Sequence, residues 1–169
     1  PNKNTSSYIF QLERQIISIL LKYGAEEISY EDSRISKDEK GENITTKKDS
    51  TSKVFEKIYL DLQEDEIEFT HSPFKAIYNK LIQGFHNESS LSIDNFINDL
   101  DSNSSKIVSD ILINDEKYQL HDWERKNIYV KKIGSELSQL VNETILNMRR
   151  FLIDKKIIEL QEFQKEGNK

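Results

Sequence analysis

Residues 134–165 carry the longest uninterrupted helical pattern in the chain, and everything else must accommodate it. Apolar side chains recur at Leu137, Leu140, Val141, Ile145, Met148, Phe151 and Leu152, then at Ile157, Ile158, Leu160 and Phe163. Spacings of three and four keep such residues on one side of a 3.6-residue helix. Ser135, just after Gly134, is a plausible N-cap, and no Pro or Gly interrupts the pattern before Gly167. About 30 helical residues at ~1.5 Å each reach ~45 Å, more than the width of a small domain. The front half therefore serves as a bundle member while the back half projects. Beyond Leu152 the stripe rotates, with Ile153, Ile157 and Leu160 on a shifted face. A projecting helix with such residues needs a cover. Two arrangements supply one: a second helix or partner, or a domain that buries the whole helix, either by its size or because the end bends back.

The front of the chain reads as further helices. Residues 8–23 form a strongly amphipathic one, with Ile9, Leu12, Ile16, Ile19, Leu20 and Tyr23 inward and Gly24 where a C′ glycine belongs. Residues 53–65 give a second, around Val54, Phe55, Ile58, Tyr59 and Leu62. Ser72 and Pro73 supply an N-cap and first-turn pair for a third, which runs to about Phe85 with Gly84 at its frayed end. Ser92 caps a short fourth. A fifth runs from about 104 to 113, the Asn114-Asp115 turn follows, and a sixth extends to about 130. Residues 25–52 are dominated by Glu, Asp, Ser, Lys and Thr and read as an exposed, mobile polar insertion, with a short hairpin conceivable at 40–43. The expected class is all-α. Residues 1–133 form a helical bundle carrying the insertion at 25–52, and residues 134–169 form the long helix.

Composition excludes several functions. The chain has no cysteine, so disulfides and cysteine-zinc sites are ruled out. No apolar run approaches the ~18 residues of a membrane span. The net charge of -6 lacks the basic footprint of a generic phosphate-backbone binder, so tight direct nucleic-acid binding is not expected. A start at Pro1 without an initiator Met, and an end in Gly167-Asn168-Lys169 straight after a helical pattern, read as cuts in a longer protein.

No catalytic grouping stands out. Asp99, Asp101, Asn103 and Asp110 fall at calcium-loop positions one, three, five and twelve. Ser104 stands where that loop needs Gly, and Lys106 brings a cation, so a polar inter-helix turn is the better reading. His71, His86 and His121 share no ligand spacing. The acidic run Asp61, Glu64, Asp65, Glu66 and Glu68 reads as a solvated helix end rather than a magnesium site. Trp123 reads as a core anchor. Arg149, Arg150, Lys155 and Lys156 make a basic segment on the long helix, partly offset by Glu143, Asp154 and Glu159.

With these elements placed, the chain resembles the C-terminal domain of bacterial DNA primase, DnaG, from about residue 8 to its end. Four pieces in order carry the resemblance: QLERQIISILLKYG (11–24), VFEKIYLDLQEDEIEFTHSPFKAIYNKL (54–81), YQLHDWERKNIYV (118–130) and ILNMRRFLIDKKIIELQ (145–161). The resemblance implies a helical bundle followed by a helical hairpin, of which the long helix is the first arm. It implies a non-catalytic interaction domain that recruits primase, a transferase, to the replicative helicase DnaB in the bacterial cytoplasm, at the replication fork in the nucleoid. Zinc and magnesium would belong to other parts of the parent, and no cofactor to this chain. The single-stranded-DNA-binding protein is a further partner to consider. Two departures stand out: the insertion is long and polar, and the chain stops where the second hairpin arm should begin. An exposed first arm offers itself for artefactual dimerisation. The expected partner-binding residues are Met148, Arg149, Arg150, Phe151, Leu152, Lys155, Lys156, Ile157 and Leu160. The alternatives are a helical nucleic-acid-binding module using the basic segment, or an accessory domain like the helicase's own N-terminal one.

Overall fold

The computed structural model describes residues 3–37, 40–87, 91–123 and 133–167. Its described elements are α1 (Lys3–Tyr23), β1 (Glu27–Lys37), β2 (Asn43–Lys53), α2 (Val54–Glu64), α3 (Ser72–Asn87), α4 (Ile93–Asn98), α5 (Ser102–Trp123) and α6 (Ile133–Gly167). The molecule is mostly helical, as expected, but not all-α.

The hub is α1. Ile9, Leu12, Ile16, Ile17, Ile19, Leu20 and Leu21 are all buried, a stripe too wide for a surface helix. It packs against α2, α3, α5 and α6. Its one buried charge is Glu13, with no exposed surface. That carboxylate accepts from the Thr70 amide at 2.5 Å and hydroxyl at 2.7 Å, and from the His71 amide at 3.1 Å and Nδ1 at 2.8 Å. Four donors compensate its desolvation and fix the turn that leads into α3. The first α3 backbone bond runs from the Lys75 amide to the His71 carbonyl at 3.0 Å, one residue earlier than a Ser72 cap would set. Pro73 sits within the first turn, where no N–H is required.

The polar insertion is the main correction to the all-α expectation. Residues 27–37 and 43–53 pair antiparallel over eleven residues each, from Glu27 opposite Lys53 to Lys37 opposite Asn43. Gly41, with φ +81°, occupies the expected turn region. The ribbon leaves and rejoins the bundle at one point. The Val54 amide donates to the Glu26 carbonyl at 2.9 Å and the Phe55 amide to the Gly24 carbonyl at 3.0 Å. Among the ribbon residues whose burial is described, only Ile28, at the base, is buried. There the Ser138 hydroxyl of α6 donates to the Ser29 carbonyl at 2.7 Å.

Other boundaries shift for local reasons. Gly24 matters for close approach: a Cβ there would lie 2.2 Å from the Phe85 ring. α3 runs to Asn87, two residues past the expected end near Phe85, and Gly84 lies within it; a Cβ there would lie 2.5 Å from Leu91 Cδ1. α5 continues through Asn114 and Asp115 to Trp123, replacing the expected turn. The remainder of the expected sixth helix, and the side chains of His121 and Trp123, lie outside the described residues. α2 ends in a Schellman motif, with the Ile67 amide bonded to Leu62 O at 2.9 Å and the Glu66 amide to Gln63 O at 3.1 Å. The C′ position, Glu66, has φ 52°, where a side chain other than Gly is strained.

Two substitutions test this account by denaturant unfolding. Glu66→Gly relieves the left-handed backbone and is expected to raise stability by about 1 kcal/mol. Glu13→Gln leaves donors at Thr70 and His71 competing for one carbonyl oxygen, and is expected to cost ~2 kcal/mol.

Candidate functional site

The long helix is present and slightly longer than expected, 35 residues from Ile133, or ~52 Å at ~1.5 Å per residue. Its front half belongs to the bundle: Leu137, Val141, Ile145 and Met148 are all buried. Phe151 and Leu152 are half-buried against the core, and Phe151 tilts against Tyr8 of α1 with ring centroids 5.6 Å apart. Every residue from Ile153 to Lys165 is exposed. The bundle ends under Leu152, at the position where the apolar stripe rotates.

Of the exposed apolar residues of α6, Ile158 and Phe163 fall to either side at helical spacing, and the others share one face. Leu146, Ile153, Ile157 and Leu160 are 56%, 59%, 47% and 54% exposed. At ~100° per residue they fall within an arc of ~60° and run for ~21 Å along the helix. This stripe lies roughly 140° round the helix from the buried one. It begins at Leu146, alongside the bundle, and continues onto the projecting half. α6 is thus apolar on two opposite sides, and only one of them is covered by the described residues. The heptad spacing of Leu146, Ile153 and Leu160 is the sequence signal for it; the expected contact set includes Ile157 and Leu160 but neither Leu146 nor Ile153.

The nine expected contact residues therefore divide. Ile157 and Leu160 lie in the open stripe. Arg150 is exposed, and Arg150 and Lys156 border the stripe on either side at helical spacing. Phe151 and Leu152 are half-buried at the bundle edge. Met148 is a correction: at 1% exposure it belongs to the core and offers no free surface. Arg149 is a second correction. Its guanidinium turns back onto α2, pairing with Asp65 through Nε and lying 3.5 Å from Asp61 Oδ1 through Nη2. Lys155 and Lys156 share Glu159, at 4.0 and 3.6 Å. The basic segment is thus largely neutralised within the chain.

The acidic groups read as structural elements. Asp61 pairs with Lys57 as well as Arg149, and Glu68 with Lys75 at 2.7 Å. Asp101 caps α5: its Oδ1 accepts from the Asn103 and Ser104 amides, each at 3.0 Å, and its Oδ2 from the Ser104 hydroxyl at 2.6 Å. The Ser104 hydroxyl first, then these amides, hold its carboxyl below the usual range. The calcium-loop spacing is therefore spent on a helix cap. His86 meets Phe55 and Tyr59 edge-on, at 5.4 and 5.5 Å. Among the described residues no group of three or more His, Asp or Glu side chains is placed to hold a metal ion, and no helix is long and apolar enough to cross a membrane.

Asp101 gives a pH prediction. Its folded pKa is depressed, so its contribution is present above the unfolded value near ~3.9 and is lost as pH falls through the folded one. Asp101→Asn keeps an acceptor for the two amides and removes the titration. Thermal unfolding below about pH 4 should therefore fall less steeply in Asp101→Asn than in the parent chain.

The family model described as Domain of unknown function (DUF8430) matches residues 2–169. No curated protein and no solved structure matches the chain.

Proposed function

The chain belongs to the DUF8430 family, and we propose that it is a non-catalytic protein-interaction domain, the part of a bacterial DNA primase that recruits it to the replicative helicase DnaB. One observation carries the interaction reading: α6 presents a second apolar stripe, Leu146, Ile153, Ile157 and Leu160, on the side away from the bundle. The ordered resemblance of four segments to the primase C-terminal domain supplies the partner. In this reading the far half of α6 is the first arm of a terminal helical hairpin, and the work takes place in the cytoplasm, at the fork. Primer synthesis falls to the parent's other parts, with their zinc and magnesium.

The mechanism is docking by reach and burial. The rigid helix carries the stripe clear of the bundle. Each half-exposed aliphatic side chain offers about 1 kcal/mol when a partner covers it. Arg150 and Lys156, on either border, set register and encounter rate more than affinity. Pairing of Arg149, Lys155 and Lys156 with acidic residues favours this over nucleic-acid binding through the basic segment.

The test is titration of DnaB from the same organism against the intact parent protein and its Ile157→Asp variant. A carboxylate in the covered stripe loses the apolar contact and is buried unpaired. Affinity is expected to fall at least ~tenfold, since each ~1.4 kcal/mol is tenfold, while circular dichroism is unchanged. Equal binding by the variant would remove the stripe as the contact. Absence of helicase binding by the folded parent, with salt-sensitive single-strand binding instead, would replace the reading with the nucleic-acid one.

A further inference from the structure

We infer that Arg149 is a positioning residue: clamped by Asp61 of α2 and by Asp65 at the C-cap of that helix, it sets the direction in which the far half of α6 leaves the bundle. The inference rests on the reading of α6 as a docking arm only for its consequence; the geometry stands without it.

The clamp lies at the exit point. Met148, the preceding residue, is the last fully buried one in α6, and exposure is continuous from Ile153. One turn apart, Asp61 on α2 and Asp65 at its C-cap both face the guanidinium, one through Nη2 at 3.5 Å and the other through Nε. A planar guanidinium can bridge two carboxylates in this way; an ammonium is a single point charge. Asp61 is shared with Lys57, whose ammonium lies 4.6 Å from the centre of the Tyr30 ring on β1. A continuous chain of charged contacts thus runs from the base of the ribbon across α2 to α6. Tyr8 of α1 meets Phe151 at the same level. The helix is held at its exit by a polar contact with α2 and an aromatic one with α1.

Leverage makes the clamp matter. From Leu152, the last residue packed against the core, to Phe163 is eleven residues, ~16 Å of rod at ~1.5 Å per residue. A tilt of about 10° at the exit moves the tip by roughly 3 Å over that length, enough to misplace a stripe only one side chain wide. Intact, the cluster balances Lys57 and Arg149 against Asp61 and Asp65. Without Arg149, two carboxylates one turn apart keep a single cation and repel each other. Isolated surface ion pairs contribute little to stability. The role assigned here is therefore orientation, and stability is the wrong quantity to measure.

The chain has no cysteine, so paired labels can be placed cleanly at two exposed positions, Asn79→Cys on α3 and Glu162→Cys on α6. The distance between spin labels, measured by pulsed electron resonance, reports arm direction with no partner present. The parent pair is expected to give one narrow distribution. Arg149→Gln should broaden it or shift it by at least ~3 Å, on the same lever-arm geometry, and Asp65→Asn should do so more weakly. The exchanged pair Arg149→Asp with Asp65→Arg should restore it. Circular dichroism checks that every variant keeps its helices. A distribution unchanged in both single variants would overturn the inference, whatever the helicase does. If the arm shifts and is restored, helicase affinity should fall several-fold in Arg149→Gln and recover in the exchanged pair. A shifted and restored arm without any helicase binding would overturn the recruitment reading and leave Arg149's positioning role supported.

Discussion

Burial of the broad apolar face of α1 organises this molecule. Ile16, Ile17 and Leu20 have no exposed surface, and four other helices cover them. Such a helix cannot persist alone in water, because its apolar area is too large to leave wet. Its burial forces α2, α3, α5 and the front of α6 into one shell. The Glu13 carboxylate inside that shell is tolerated because it collects the donors of the Thr70-His71 turn. Apolar burial and a fully compensated charge thus place α3 on the same helix. The rest of the packing follows from where α3 and α6 must lie to close over α1.

The same economy explains the long helix. Its front half contributes Leu137, Val141, Ile145 and Met148 to the shell and ends its commitment at Leu152. Beyond that level no described residue buries it. A soluble chain rarely keeps large aliphatic residues exposed in a row without a use for them. The second stripe starts beside the bundle at Leu146 and runs out along the rod, so it is a built surface and not a fraying end. The pairing of Arg149 with α2 joins the two halves functionally. It removes one basic side chain from the outward surface and turns it into a brace at the exit of the rod.

The periodicity of α1, α2, α3 and α6 was legible because buried aliphatics repeat at three and four. The ribbon was not. β2 lies mostly in solvent, so residues such as Thr45, Thr46, Lys47 and Lys48 show no alternation of apolar and polar types. They pair through backbone bonds and cross-strand contacts like Lys47 with Glu31 at 2.8 Å, which leave no hydrophobic signature. Their Thr content was the faint signal. The Asn114-Asp115 pair misled for a different reason: intrinsic helix propensity is a weak prior, and α5 runs through both residues.

By itself the sequence determined that the chain is mainly helical, that α1 is largely buried and that α6 is long, because each depends on local spacing and length; that its far half stands clear of the described bundle was decided by the tertiary structure. Only the tertiary structure decided which residues of α6 are free. Met148 and Ile157 are both apolar positions of one long pattern, and nothing local separates them. The difference is whether another helix stands opposite. Arg149 and Arg150 are adjacent and identical in chemistry, yet one reaches Asp61 and Asp65 and the other faces water. Those carboxylates lie more than eighty residues away along the chain; only folding brings them together.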